Sequence, residues 1–173
     1  MPIVADATVF RYLVIVDATA ILPALFGTVL VPPAVVRELQ HASTPARVRA
    51  WWRTVPSWVQ IQAPRLPPDP ALHHLGEGEQ EAIRLMDEQR APLLMTDDRD
   101  AYEAAVARGM AVTRTLRVLE IAAEQDLLDF PTTIARLRAA GFYMPEDVVD
   151  EMLARDATRK ATAQEPPPDT RET

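Results

Sequence analysis

A chain of 173 residues, 48% of them apolar, is long enough for one core and too short for two comfortable ones. Without a cysteine it has no disulfide, thiolate metal site or cysteine nucleophile, and with three histidines a histidine-rich zinc site is disfavoured, so any metal must be held by oxygen. The net charge of −7 argues against a surface that grips nucleic acid everywhere, and no run approaches the roughly 18 apolar residues of a membrane span or the pattern of a cleavable leader, which predicts a cytoplasmic protein.

In chain order, Ile3-Val4-Ala5 is an apolar run ending at Asp6, and Val9, Phe10, Leu13 and Val14 then recur at helical spacing. Asp17 is expected to cap a second helix through Phe26, with Gly27 as its left-handed stop. Val29-Leu30-Val31 is the next strand, and Pro32-Pro33 pre-sets the first turn of a helix carrying Val35, Glu38 and Leu39. Thr44-Pro45 opens a short helix bearing Trp51 and Trp52. Residues 62–76 are proline-rich and aperiodic, which predicts a surface loop with His73-His74 near its end; adjacent histidines face different ways, so these are read as exposed. A helix from Gly76 turns Ala82, Ile83 and Met86 inward.

Leu93-Leu94-Met95 reads as a strand, Asp98 as the cap of a helix ending near Arg108 and stopped by Gly109, and Val112 as a further short strand. Thr115 is expected to cap a helix to about Gln125, with two more helices from Pro131 and Pro145, the last favoured by Glu146 and Asp147 at its positive end. Beyond Arg155 the apolar pattern fails. One domain over 1–155 and a disordered tail over 156–173 follow from that reading. Strands alternating with helices predict an α/β fold: a parallel sheet with helices on both faces, and a crevice at the carboxyl ends of the strands, where Asp6 and Asp97 fall.

Acids gathered from distant segments direct attention to that crevice. Glu79 lies three and four positions before Ala82 and Ile83, so it shares the face they bury, whereas Glu77 and Glu81 fall on more outward faces, Glu81 within reach of Arg84 for a surface pair. The structural alternative for Glu79 is an acid complementing its helix's amino end, and for Asp6 a simple helix cap. Asp97-Asp98 is harder to dismiss, because one aspartate can cap the next helix while the other has no obvious structural task. Carboxylates of this kind suit magnesium or manganese, and three or four of them are a usual scaffold for phosphodiester hydrolysis. Arg47, Arg49 and Arg53, interleaved with Trp51, Trp52 and Trp58, are candidates for phosphates and bases, although paired tryptophans on a short helix more often cap a core.

The segments Ile3-Val4-Ala5-Asp6-Ala7-Thr8, Leu30 to Leu39, Leu75 to Ile83 and Leu93 to Arg99 resemble a PIN domain. It looks like the branch ending in a helical segment called DUF3368, here about 115–153. This resemblance implies a PIN-like three-layer fold with a central, mainly parallel sheet, and a magnesium- or manganese-dependent ribonuclease similar to the VapC-like toxins of type II toxin-antitoxin pairs, inhibited by an antitoxin. Carried over, Asp6, Glu38, Glu79 and one or both of Asp97 and Asp98 match the metal-binding acids, with Thr8 and Thr96 as supporting hydroxyls. The threonine-any-aspartate pattern of relatives favours Asp98. Thr113-Arg114-Thr115 stands where relatives often carry glycine before threonine, which brings the Arg114 guanidinium to the crevice. Arg99 and Arg114 join the Arg47 to Arg53 segment as possible RNA contacts, and relatives suggest a homodimer. The expectation is a single-strand endoribonuclease; the alternatives are a catalytically quiet interaction module and a structure-specific DNA nuclease.

Overall fold

The computed structural model describes residues 1–164. Its centre is a parallel sheet of β1 (Ile3–Ala5), β2 (Val29–Val31), β3 (Val59–Ile61), β4 (Leu94–Met95) and β5 (Val112–Thr113), ordered β3-β2-β1-β4-β5. The inner strands β1, β2 and β4 are wholly apolar because both of their faces are covered. Alternate residues go to opposite faces: Ile3, Ala5, Val29, Val31 and Met95 join one buried cluster, and Val4, Leu30 and Leu94 join the other.

The first face packs against α1 (Ala7–Ile15), α2 (Ile21–Phe26), α4 (Ala46–Trp51), α7 (Thr115–Glu124), α8 (Phe130–Ala139) and α9 (Glu146–Gln164), the second against α5 (Glu77–Gln89) and α6 (Arg99–Ala107). Between them, α3 (Pro33–Gln40) buries Val35 and Leu39 and lies along α5. Gly78 permits this approach: a Cβ there would meet Val35 Cγ2 at 3.2 Å and Glu38 Oε2 at 3.4 Å. Among the described residues no helix is long and apolar enough to cross a membrane.

The chain leaves β1 to build β2 and β3 on one side, then crosses to build β4 and β5 on the other. The order reverses between β1 and β4, so a crevice opens at their carboxyl ends. Asp6 and Asp97 follow those two strands.

Several local expectations are corrected. Asp17 does not cap α2; it turns the chain at φ 63° and pairs with Arg47, while α2 starts after Ala20. Residues 59–61, without a predicted element, form the edge strand β3. The proline-rich loop contains a 3₁₀ turn at Pro70–Leu72 that buries Leu72. Thr115 is the first residue of α7 and not its cap. Glu81 does not pair with Arg84; its Oε2 accepts the Ala34 N–H at 2.9 Å, supplying the amino end of α3 with the acceptor that Pro32 lacks.

The largest correction is at the carboxyl end. The helix α9 continues to Gln164, past the boundary expected at 155. Ala, Arg, Lys and Gln are strong helix formers that need no apolar stripe, and Asp156, 6% exposed, pairs with Arg159 at 2.9 Å and Lys160 at 2.9 Å one turn on. The rest of the expected tail, 165–173, lies outside the described residues.

Candidate functional site

Asp6 is built into the crevice by three constraints. It ends β1, it caps α1 by accepting the Val9 N–H at 3.3 Å, and its other oxygen accepts the Thr96 hydroxyl. Thr96 is itself buried after β4, so this bond ties the two strands at the reversal point. Asp6 is 1% exposed, and burial pushes its carboxyl up to about 8, against the Thr96 bond and with help from the negative charges of Asp97 and Glu79.

The two adjacent aspartates divide in an unexpected way. Asp98 points away: it is exposed, and its carboxylate accepts the Ala101 N–H at 2.8 Å as the cap of α6. Asp97 is near enough for its charge to raise the Asp6 carboxyl, and it takes Thr115, accepting its N–H at 2.9 Å and its hydroxyl at 2.5 Å. In this way Asp97 stands in for the cap that Arg114 does not provide. Burial raises its carboxyl, opposed by the Thr115 bonds and the nearby Arg114 guanidinium. Asp98 thus takes the capping role that the sequence assigned to one of the pair, and Asp97 lines the cavity beside Thr8 and Arg114.

Glu79 is half-buried in the first turn of α5, folded back over Gly76. Glu38 reaches over Gly78 from α3, and its carboxyl is raised by burial and by Glu79, with Arg11 opposing. The electrostatic influences thus run in a line, Asp97 to Asp6 to Glu79 to Glu38, with Arg114 at one end and Arg11 at the other. Thr8, half-buried on α1, borders cavities on both sides of this line.

Among the described residues, no group of three or more Asp, Glu or His side chains closes into a ready metal site. The donor set still fits a hard, hydrated cation. Asp6 and Asp97 each accept two bonds, whereas a carboxylate offers about four lone-pair positions. Magnesium binds through one or two carboxylates and keeps several waters, so it does not require a closed protein cage.

Other sequence candidates lie elsewhere. Trp52 is buried and Trp51 and Trp58 pack with it around Phe10, which supports the structural reading of the tryptophans. Arg47 meets Asp17 and Arg99 meets Glu103, both on the surface, while Arg49 is half-buried and Arg53 exposed. Arg11, Tyr12 and the Phe142-Tyr143 pair, which sequence reasoning passed over, border the crevice. For Arg11 and Tyr12 a signal existed: at helical spacing they fall opposite Phe10 and Leu13, on the face of α1 that shares an end with Asp6.

Comparison with known proteins agrees with the fold. A family model described as "DUF3368: PIN domain" matches residues 2–157, a span much wider than the 115–153 helical segment expected to carry that label. No curated protein and no solved structure matches the chain. PIN domains are generally nucleases, a class of hydrolase that usually uses divalent metals. With a parallel sheet reversing between β1 and β4, acids at that reversal and a match along nearly its whole length, the chain belongs to the PIN-domain family.

Proposed function

We propose that the protein is a magnesium- or manganese-dependent endoribonuclease that hydrolyses phosphodiester bonds of single-stranded RNA, acting in the cytoplasm as the toxin of a toxin-antitoxin pair and restrained by an antitoxin that binds it. The observation that carries this reading is the Asp6 carboxyl, buried at the reversal point of the sheet with the like charges of Asp97 and Glu79 as its charged neighbours. Such an arrangement is costly in an empty protein and favourable around a cation.

Asp6, Asp97 and Glu79 would hold the ion, with Glu38 extending the set along α3. When bound, a divalent ion supplies Lewis acidity to a phosphoryl oxygen and lowers the pKa of water. The chain's own part is positioning. Thr96 fixes one oxygen of Asp6, and Thr115 fixes both oxygens of Asp97, so neither carboxylate has to reorient as charge develops. Arg11 and Arg114, at the ends of the acidic line, offset the charge of phosphates on either side of the bond to be cut.

The test is incubation of purified protein with single-stranded RNA in magnesium, manganese or chelator, beside Asp97→Asn and Asp98→Asn. Metal-dependent cutting is expected, reduced on the order of 100-fold in Asp97→Asn. The Asp98→Asn protein is expected to cut nearly as the parent does and to lose at most about 1 kcal/mol of stability, since asparagine also caps helices. Undiminished cutting by Asp97→Asn would sink the assignment. A DNA strand of the same sequence, run in parallel, separates the ribonuclease from a structure-specific DNA nuclease.

One observation favours a second reading, a quiet interaction module that binds an antitoxin or another copy of itself: Asp6, Asp97 and Asp98 all serve as acceptors for helix amino ends. A folded protein with no calorimetric affinity for magnesium decides for that module. Light scattering at high concentration tests the homodimer, which a monomer mass rejects.

A further inference from the structure

Beside the acidic line, a cavity of about 500 Å³ opens between α1, the start of α7 and the connection from α8 into α9. Its volume lies within the roughly 300–1,000 Å³ of small-ligand sites. Three features define what it would accept. Aromatic rings form one side: Tyr12 and Phe142 meet edge to face at 4.7 Å and 82°, and Tyr143 stands at the mouth, 87% exposed. Aliphatic side chains from α7 and α9, among them Leu116 and Val148, complete the lining. Asp97, Arg114 and Arg117 form the polar rim, so the cavity shares a residue with the acidic line.

Charge selects among possible occupants. Arg117 is engaged by Glu120 at 2.6 Å and Glu124 at 3.3 Å, but Arg114 lies over the Tyr102 ring at 4.6 Å and makes no ion pair among the described residues. Asp97 is the nearby negative charge for Arg114, but without an ion pair the guanidinium keeps its donors for a ligand anion, which a purely apolar occupant does not supply. An unstacked nucleobase with its phosphate supplies a flat apolar face for the rings and an anion for the arginine.

We propose that this cavity is a nucleobase pocket, in which one unstacked base of single-stranded RNA lies against Tyr143 and the Tyr12-Phe142 pair while the adjoining phosphate meets Arg114 beside Asp97. The proposal deepens the nuclease reading and rests on it for the identity of the strand. It assigns the preference for single strands to a geometric cause: a base held in a duplex cannot leave its stack to enter.

Fluorescence anisotropy tests it with end-labelled RNA decamers, one intact, one lacking a single base and one annealed to its complement, in calcium and again in chelator. The proteins are the parent, Tyr143→Ala, Tyr143→Phe and Arg114→Ala. Because Tyr143 is exposed, its alanine variant keeps the core intact. Intact single strands are expected to bind the parent at least about fivefold more tightly than Tyr143→Ala, with Tyr143→Phe matching the parent. The abasic strand should bind the parent as weakly as the intact strand binds Tyr143→Ala, the duplex more weakly still, and Arg114→Ala should lower the salt slope by about 1. Equal binding of intact and abasic strands, parental binding by Tyr143→Ala, or no binding at all overturns the pocket. Cleavage assays in magnesium and manganese separate the two claims. Cutting that is indifferent to Tyr143 keeps the nuclease and rejects the pocket, whereas base-dependent binding without cutting keeps the pocket and rejects the nuclease.

Discussion

Asp6→Asn is expected to melt at a higher temperature than the parent protein at pH 8 while losing metal-dependent cleavage. In the unfolded chain Asp6 ionises near 3.8; in the folded protein it keeps its proton to about 8. Between those values the folded state binds one more proton than the unfolded state, so this group lowers stability by about 1.4 kcal/mol for each pH unit gained. The loss begins near pH 4 and levels off above about pH 8. Asparagine does not ionise, keeps an oxygen for one of the two donors and removes the repulsion from Asp97 and Glu79. The two proteins should therefore melt together near pH 4 and separate by on the order of 5 kcal/mol at pH 8, roughly 10–20 °C for a chain of this size. Magnesium should narrow the gap by stabilising the parent alone. Thermal melts from pH 4 to 9, with chelator and with magnesium, check this, and melting curves that stay parallel at every pH reject it.

Phe10→Ala should cost roughly 3–5 kcal/mol and lower the melting temperature by on the order of 10 °C. Phe10 is fully buried, with ring centroids 4.9 Å from Trp52 in an edge contact, 5.7 Å from Trp51 and 6.3 Å from Trp58 in a stack. Removing the ring opens a cavity among large rigid side chains that cannot collapse into it. The site should feel the change, because α1 carries Phe10 on its inner face and Thr8, Arg11 and Tyr12 towards the crevice. A urea titration followed by tryptophan emission measures the loss; an unmoved midpoint would show that the cluster is not what anchors α1. Phe10→Leu, which refills much of the volume, should lose considerably less.

Much of this architecture could be read from local signals. The apolar run before Asp6, the Pro32-Pro33 break, Gly76 and the stop at Gly109 each act within a few residues, and each marks an element that exists. What escaped depends on distant partners. The edge strand β3 exposes Gln60 and Ile61, so it shows neither the continuous apolar run of a buried strand nor a clean alternation. The Glu81 bond to Ala34 spans 47 residues, and no helical spacing reveals it. The division of labour between Asp97 and Asp98 turns on where α7 begins relative to the end of β4, a tertiary fact that gives Thr115 to Asp97. Segment patterns brought the acids and Arg114 to one end of the sheet, but only the fold supplied Arg11 at the other border.

The helix that outran its expected end has a bearing on any shortened form of this protein. Past Arg155, α9 reaches sideways: Arg159 meets Asp126 at 3.2 Å and Lys160 meets Asp129 at 3.0 Å, both at the bend joining α7 to α8. The same helix, at its other end, lines the aromatic cavity with Val148 and Met152. A chain trimmed after Arg155 would keep every candidate ligand acid and yet lose the outrigger that holds one wall of the cavity in place, so ion binding and strand binding should part company in such a fragment.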